Sequence, residues 1–271
     1  MFGNASGDDP FDINEREPWR QTSRVQEAIK QALNLRYDLI HYTYTSMEQT
    51  SRTAEPLMRA MWSEFPDELR FRNCTTQFMF GSSILVAPKV TRPYGVLKKM
   101  HLQEVQAMLP DGETWYDLSS KQLLKTESTN TTLNMTLSDL ETATYVRGGT
   151  ILPILQHQDC MSLLYCMTND IVLEVYPSTY NEAFGALYLD DYLSVDHTNN
   201  VSGSFARMKY SMDAAGHFTT SATYPADDTS YSAAPYVTKI VLYNVSRWPS
   251  SVGQTLDGAT SELNYVFIAD T

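Results

Sequence analysis

Carboxylates are the most abundant side chains here with chemistry to offer: 32 Asp and Glu stand against 20 Lys and Arg. Three adjacent pairs stand out, Asp8-Asp9, Asp190-Asp191 and Asp227-Asp228. Acid/base hydrolysis needs two carboxyls converging on one bond. Neighbours on a strand point to opposite faces, so each pair reads first as turn or loop material. Glu17, Asp38 and Glu64 lie among aromatics and read the same way. His41, His101, His157, His197 and His217 form no His-x-x-x-His pair, and the three cysteines form no Cys-x-x-Cys, so no metal site is expected. Cys160 and Cys166 sit in an apolar stretch and read as a buried thiol pair, or as a local disulfide if the chain is secreted. Gly81-Ser82-Ser83 lacks the Gly-x-Ser-x-Gly pattern and reads as a turn opening a strand. Gly148-Gly149 and Gly253 match no Walker or dinucleotide fingerprint. Spacing alone therefore yields no catalytic residue, no metal and no cofactor.

The asparagines are more distinctive. Six of the twelve, Asn4, Asn73, Asn130, Asn134, Asn200 and Asn244, stand in Asn-x-Ser/Thr sequons. Chance predicts about two or three if Ser and Thr fill roughly a fifth of positions. Either a Ser/Thr-rich chain matches by accident, or these are glycosylation sites in a chain that matures in a secretory compartment. The first ten residues have no basic n-region and no apolar h-region, so no signal peptide is expected there. Glycans without a leader conflict unless the chain is the tail of something longer.

The elements that must position these residues follow from periodicity. Residues 1–22 are polar and punctuated by Pro10 and Pro18, as in a loop. Val25, Ile29, Leu33, Ile40, Tyr44 and Met47 then recur at helical spacing, which predicts one helix from Ser23, its N-cap, to about residue 50, some 40 Å long. After Pro56 come short apolar runs separated by turns: Phe78-Met79-Phe80, Ile84-Leu85-Val86-Ala87, Val96-Leu97, Trp115-Tyr116, Tyr145-Val146 and Thr150-Ile151-Leu152. Thr132 to Leu137 alternates polar and apolar. A second block holds Ile171–Tyr176 and Ala186–Leu189, which look like paired strands. Phe205–Tyr210 and Val237–Tyr243 follow, both alternating with basic residues outward, and a short strand is expected at His217–Thr223. This pattern suggests β-sandwiches. The 17 Tyr, 10 Phe and 4 Trp suit strands. A net charge of −12 argues against nucleic acid or an anionic membrane as partner. No run approaches the length of a bilayer span.

The ordered series of segments carries a resemblance. Arg16-Glu17-Pro18-Trp19 precedes Leu35-Arg36-Tyr37-Asp38-Leu39-Ile40-His41-Tyr42-Thr43-Tyr44-Thr45. Glu55-Pro56-Leu57-Met58-Arg59, Glu64-Phe65-Pro66-Asp67 and Gln77 to Pro88 follow, then Trp115-Tyr116-Asp117, Val146 to Pro153 and Leu187 to Asp191. Over roughly residues 12–196 this series resembles the C-terminal third of glycoside hydrolase family 31 α-glucosidases. The resemblance implies a mainly β fold, with two C-terminal β-sandwich domains preceded by the last helix of a (β/α)8 barrel. Residues 1–53 would be the barrel remnant, 54–155 the proximal sandwich and 156–271 the distal one.

The family is retaining, with two catalytic Asp residues in the middle of the barrel, one in a Trp-x-Asp-Met-Asn-Glu segment that this chain lacks. The resemblance therefore implies that the chain holds no catalytic residue. A substrate-contacting His of the family falls on Asp8 here, and an Arg two residues earlier falls on Ser6. Either these first residues come from a mis-assigned start or this copy has lost its pocket, and the substrate-binding residues stay unknown. The parent would release terminal α-linked glucose in carbohydrate metabolism or glycan trimming, in the endoplasmic reticulum, the lysosome or outside the cell. Its substrate would bind through the missing barrel, with no cofactor and no assigned partner subunit. The alternative is a non-catalytic carbohydrate-binding or interaction protein made of two β-sandwiches.

Overall fold

A computed structural model of the chain describes residues 17–90, 102–124, 129–138, 140–155, 162, 165, 167–192, 205–223, 235–245, 251–256 and 259–262. Asn4, Ser6, Asp8, Asp9, Val96, Leu97, His101, His157, Cys160, Cys166, His197, Asn200, Asp227 and Asp228 lie outside the described residues.

The expected single helix is two, α1 (Ser23–Asp38) and α2 (Ile40–Thr53). They meet at Leu39, where ψ opens to 11°. One turn on, the Thr43 hydroxyl donates to the Leu39 carbonyl at 2.8 Å, a side-chain bond of the kind that bends helices. The N-cap is Thr22 rather than Ser23: its side chain accepts from the Val25 amide, and Ser23 is already helical. α2 ends at Ala54 in the left-handed region, φ 61°. A four-residue helix, α3, spans Met61–Glu64.

Sixteen strands follow among the described residues. The first eight are β1 (Met58–Ala60), β2 (Phe78–Phe80), β3 (Ile84–Ala87), β4 (Leu102–Met108), β5 (Trp115–Asp117), β6 (Leu123–Leu124), β7 (Thr132–Ser138) and β8 (Ala143–Arg147). Six make an antiparallel sheet in the order β1-β2-β3-β8-β5-β6, and β4 pairs β7 as a separate ribbon. Met79, Leu85, Trp115 and Tyr145 from the sheet pack against Val105, Ala107, Leu133, Met135 and Leu137 from the ribbon. Sheet and ribbon therefore sandwich one core. β7 keeps the expected alternation, with Thr132, Asn134 and Thr136 exposed.

The other eight are β9 (Thr150–Leu155), β10 (Ile171–Tyr176), β11 (Ala183–Leu189), β12 (Ala206–Met212), β13 (Phe218–Thr223), β14 (Val237–Leu242), β15 (Gly253–Leu256) and β16 (Ala259–Glu262). Their main sheet runs β13-β12-β11-β9-β10-β14, beside a β15–β16 hairpin. This sheet starts at Thr150, ahead of residue 156. β10 and β11 are not partners as expected, because β9 lies between them, antiparallel to β10 and parallel to β11. β14 also departs from expectation. Its parallel pairing with β10 leaves it at the sheet edge, with Val237, Ile240 and Leu242 exposed alongside Lys239.

Both main sheets bury two faces, which explains runs such as Ile84-Leu85-Val86-Ala87 that show no polar alternation. Leu85 points into the first core, while Ile84, Tyr116 and Val146 join Leu39, Tyr42, Leu152 and Tyr176 in a seam between α2 and both sheets. Ile151, Leu173 and Val175 face away, into a core of the second sheet with Leu187, Leu189 and Tyr210.

Candidate functional site

Several of the residues that carried the resemblance converge on this seam. From α2, the Tyr42 hydroxyl donates to the Phe80 carbonyl at 2.8 Å and accepts from the Ser83 amide at 3.2 Å. Gly81-Ser82-Ser83 is the turn that makes this possible: a Cβ on Gly81 would lie 2.1 Å from the Tyr42 hydroxyl, and its φ is +60°. The Tyr44 hydroxyl donates to both oxygens of Asp190 at 3.0 and 2.8 Å, and Thr45 Oγ1 accepts from the Tyr188 amide at 2.9 Å. α2 is thus bonded to the first sheet through Tyr42 and to the second through Tyr44 and Thr45.

Trp115-Tyr116-Asp117 serves the same junction. Trp115 and Tyr116 are fully buried, and the Tyr116 hydroxyl donates to the Pro177 carbonyl at 2.8 Å. Burial pushes its pKa up to about 12. Asp117 accepts from the amides of Ser119 and Ser120, turning the chain so that Lys121 reaches across to Glu174 at 2.8 Å. Glu174 also accepts from Tyr176 at 2.5 Å and Tyr243 at 2.8 Å. Burial, then the neighbouring carboxylate, raises the pKa of both phenols. Such a knot holds two sheets together only while all its partners are present.

Arg147-Gly148-Gly149 is the passage between sheets. The Arg147 guanidinium lies between Glu113 and Glu64, and Glu64 also binds Arg59 at 2.9 Å. A Cβ on Gly148 would fall 2.5 Å from that of Thr114, and Gly149, at φ +85°, donates to the Tyr176 carbonyl at 2.7 Å.

The predicted carboxylate pairs make no acid/base dyad among the described residues. Asp190 is 2% exposed and engaged by Tyr44 and the Tyr192 amide, whereas Asp191 is exposed. Glu64 and Glu174 are held by basic side chains. No group of three His, Cys, Asp or Glu among the described residues has the geometry to hold a metal. No described helix is long and apolar enough to cross a membrane. His41 is fully buried without a hydrogen-bond partner at either ring nitrogen, and burial pulls its pKa down to about 4. His217 is exposed beside Asp213. Asn73, Asn130, Asn134 and Asn244 are all exposed.

The outer face of α1 is also open to solvent, and none of its residues is buried. Trp19, Val25 and Leu33 are exposed. A groove of about 560 Å³ runs along this face, lined by Pro18, Trp19, Gln26, Ile29, Leu33 and Tyr37. An apolar helix face beside a well-tied partner helix is built to meet another surface.

The glycosyl hydrolase family 31 C-terminal domain matches residues 54–152. The chain belongs to glycoside hydrolase family 31, as a C-terminal portion. Among family 31 relatives, neutral α-glucosidase AB of Mus musculus is 30% identical over 94% of this chain and 25% of its own length. An α-glucosidase of Schizosaccharomyces pombe is 30% identical over 90% and 23%. The chain thus spans about a quarter of the length of these relatives. The Tris-bound glucosidase II α subunit shares the fold, with TM-score 0.73 and 21% identity over 91% of this chain and 26% of its own. A further structure of like fold, TM-score 0.68, is an ER glucosidase II heterodimer of a catalytic subunit and the binding domain of a regulatory subunit. The relatives do not favour a free-standing carbohydrate-binding protein.

Proposed function

We propose that this chain is the C-terminal buttress of a retaining α-glucosidase that removes terminal α-linked glucose, with both catalytic carboxylates on a barrel outside these residues. The observation that carries the reading is the contrast along residues 23–53: α2 is bonded into both sheets, while α1 leaves its apolar face open. That face suits contact with the rest of a barrel. In this reading residues 1–53 are the barrel remnant, and the passage from proximal to distal sandwich falls at Gly148-Gly149 rather than after residue 155, because β9 lies within the second sheet. Asn73, Asn130, Asn134, Asn200 and Asn244 are the glycosylation candidates. The names of the relatives support a parent working in the secretory pathway on glucosides or glycans, and a regulatory subunit as a partner of the same class.

The chain alone is expected to give no turnover of a chromogenic α-glucoside above a blank. A polypeptide that continues upstream through a Trp-x-Asp-Met-Asn-Glu segment is expected to hydrolyse it. Turnover by the chain alone, abolished by replacing one of its own carboxylates, would overturn the reading.

A further inference from the structure

The β4–β7 ribbon carries a second groove, of about 500 Å³, on the opposite element of the first sandwich. Its lining mixes apolar Pro88, Val90 and Met135 with polar Glu104, Gln106 and Thr136, and Asn134 stands in its wall. Its volume falls within the range of small-ligand clefts. Pyranose rings, with one apolar face and hydroxyls at the rim, suit such a lining. In the ribbon register Gln106 pairs with Asn134 and Glu104 with Thr136, and all four are exposed. The two sequon residues therefore project from one face, two positions apart on one strand.

The other described sequons lack this setting. Asn73 and Asn130 are exposed but line neither groove described above. Asn244 likewise lines neither groove.

We infer that Asn134 carries an N-linked glycan whose first sugars lie along this groove, an inference that rests on the secretory reading proposed above. In the transfer, the Asn134 amide nitrogen bonds to C1 of the sugar of a lipid diphosphate oligosaccharide donor. The C1–O bond breaks with its electron pair leaving on the diphosphate, and the amide loses a proton to a base of the transferase. The seated sugars then cover Pro88 and Val90 and guard the ribbon face.

The test uses the protein purified from the cells that make it, digested and treated with a peptide N-glycosidase in ¹⁸O water. The peptide holding Asn134 is expected to carry the ¹⁸O-labelled Asp that marks a former glycan. Asn134→Gln and Thr136→Ala are each expected to lose one glycan's step in gel mobility, and Thr136→Ser to keep it. Seating predicts that an endoglycosidase cuts the Asn134 glycan several-fold more slowly in the native protein than after denaturation; equal rates would overturn it. An unmodified Asn134 beside a glycosylated Asn73 or Asn130 overturns the inference and leaves the secretory reading standing. Absence of glycan from every sequon overturns both.

Discussion

Helices α1 and α2 carry similar apolar stripes in sequence, yet α1 buries none of its residues while α2 buries His41, Tyr42 and Thr45. The difference lies in polar contacts more than in apolar content. α2 spends Tyr42, Tyr44 and Thr45 on specific bonds to two sheets, so its orientation is determined within these residues. α1 shows Val25 and Leu33 to solvent, with Leu35 packed against the border of the seam. A periodic stripe announces that a helix will be buried, and only a partner decides where.

This contrast can be broken most sharply at Gly81. Gly81→Val forces a side chain into the Tyr42 hydroxyl at a backbone angle only glycine favours. It should cost roughly 3–5 kcal/mol, read as a lowered urea midpoint. An unchanged midpoint would mean that Tyr42 does not hold α2 in place. Next comes acid. His41 is neutral in the fold, with its pKa lowered from 6.5 to about 4. Below pH 6.5 the unfolded chain therefore binds the extra proton, and stability falls as pH drops from 6.5 to about 4. The loss from this one group is roughly 3 kcal/mol. His41→Leu should flatten that part of the stability–pH curve, and an unaltered slope would show that His41 is not the group responsible.

Tyr44→Phe removes the donor to a carboxylate that is 2% exposed. A loss of about 1–3 kcal/mol is expected, and hydrogen exchange should rise in α2 before it rises in the cores of the sheets. The smallest effect is expected on α1. Leu33→Ser, at a residue 44% exposed, should change the stability of this chain by less than about 0.5 kcal/mol. The same change in a polypeptide that includes the barrel should cost about 1.5–3 kcal/mol. Equal small effects in both would remove the proposed docking role of α1.

Legibility followed the same division. β7 was readable because Leu133, Met135 and Leu137 face one core while Thr132, Asn134 and Thr136 face water. Its partner β4 carried a comparable signal, with Gln103, Val105 and Ala107 buried and Glu104 and Gln106 exposed, but a glutamine on the inner face hid it. The break at Leu39 left no trace in the helical spacing, since the apolar period passes through it. The roles of the motif residues were hidden too. Asp190 reads as half of a surface pair, and its burial depends on Tyr44, 146 positions away in the chain.

Residue order by itself determined the family resemblance, the mainly β class, the long helical segment and the sequons, because each rests on local spacing along the chain. The tertiary structure decided which runs became neighbours. It placed β9 between β10 and β11 and left β14 at an edge. It buried Asp190 as a tie from the second sheet to α2 and Glu174 as a tie to Lys121, and it set Asn134 beside a groove. The physical reason is that strand pairing and the burial of a charge are settled by groups far apart in sequence, whose contacts exist only once the sheets have closed on each other.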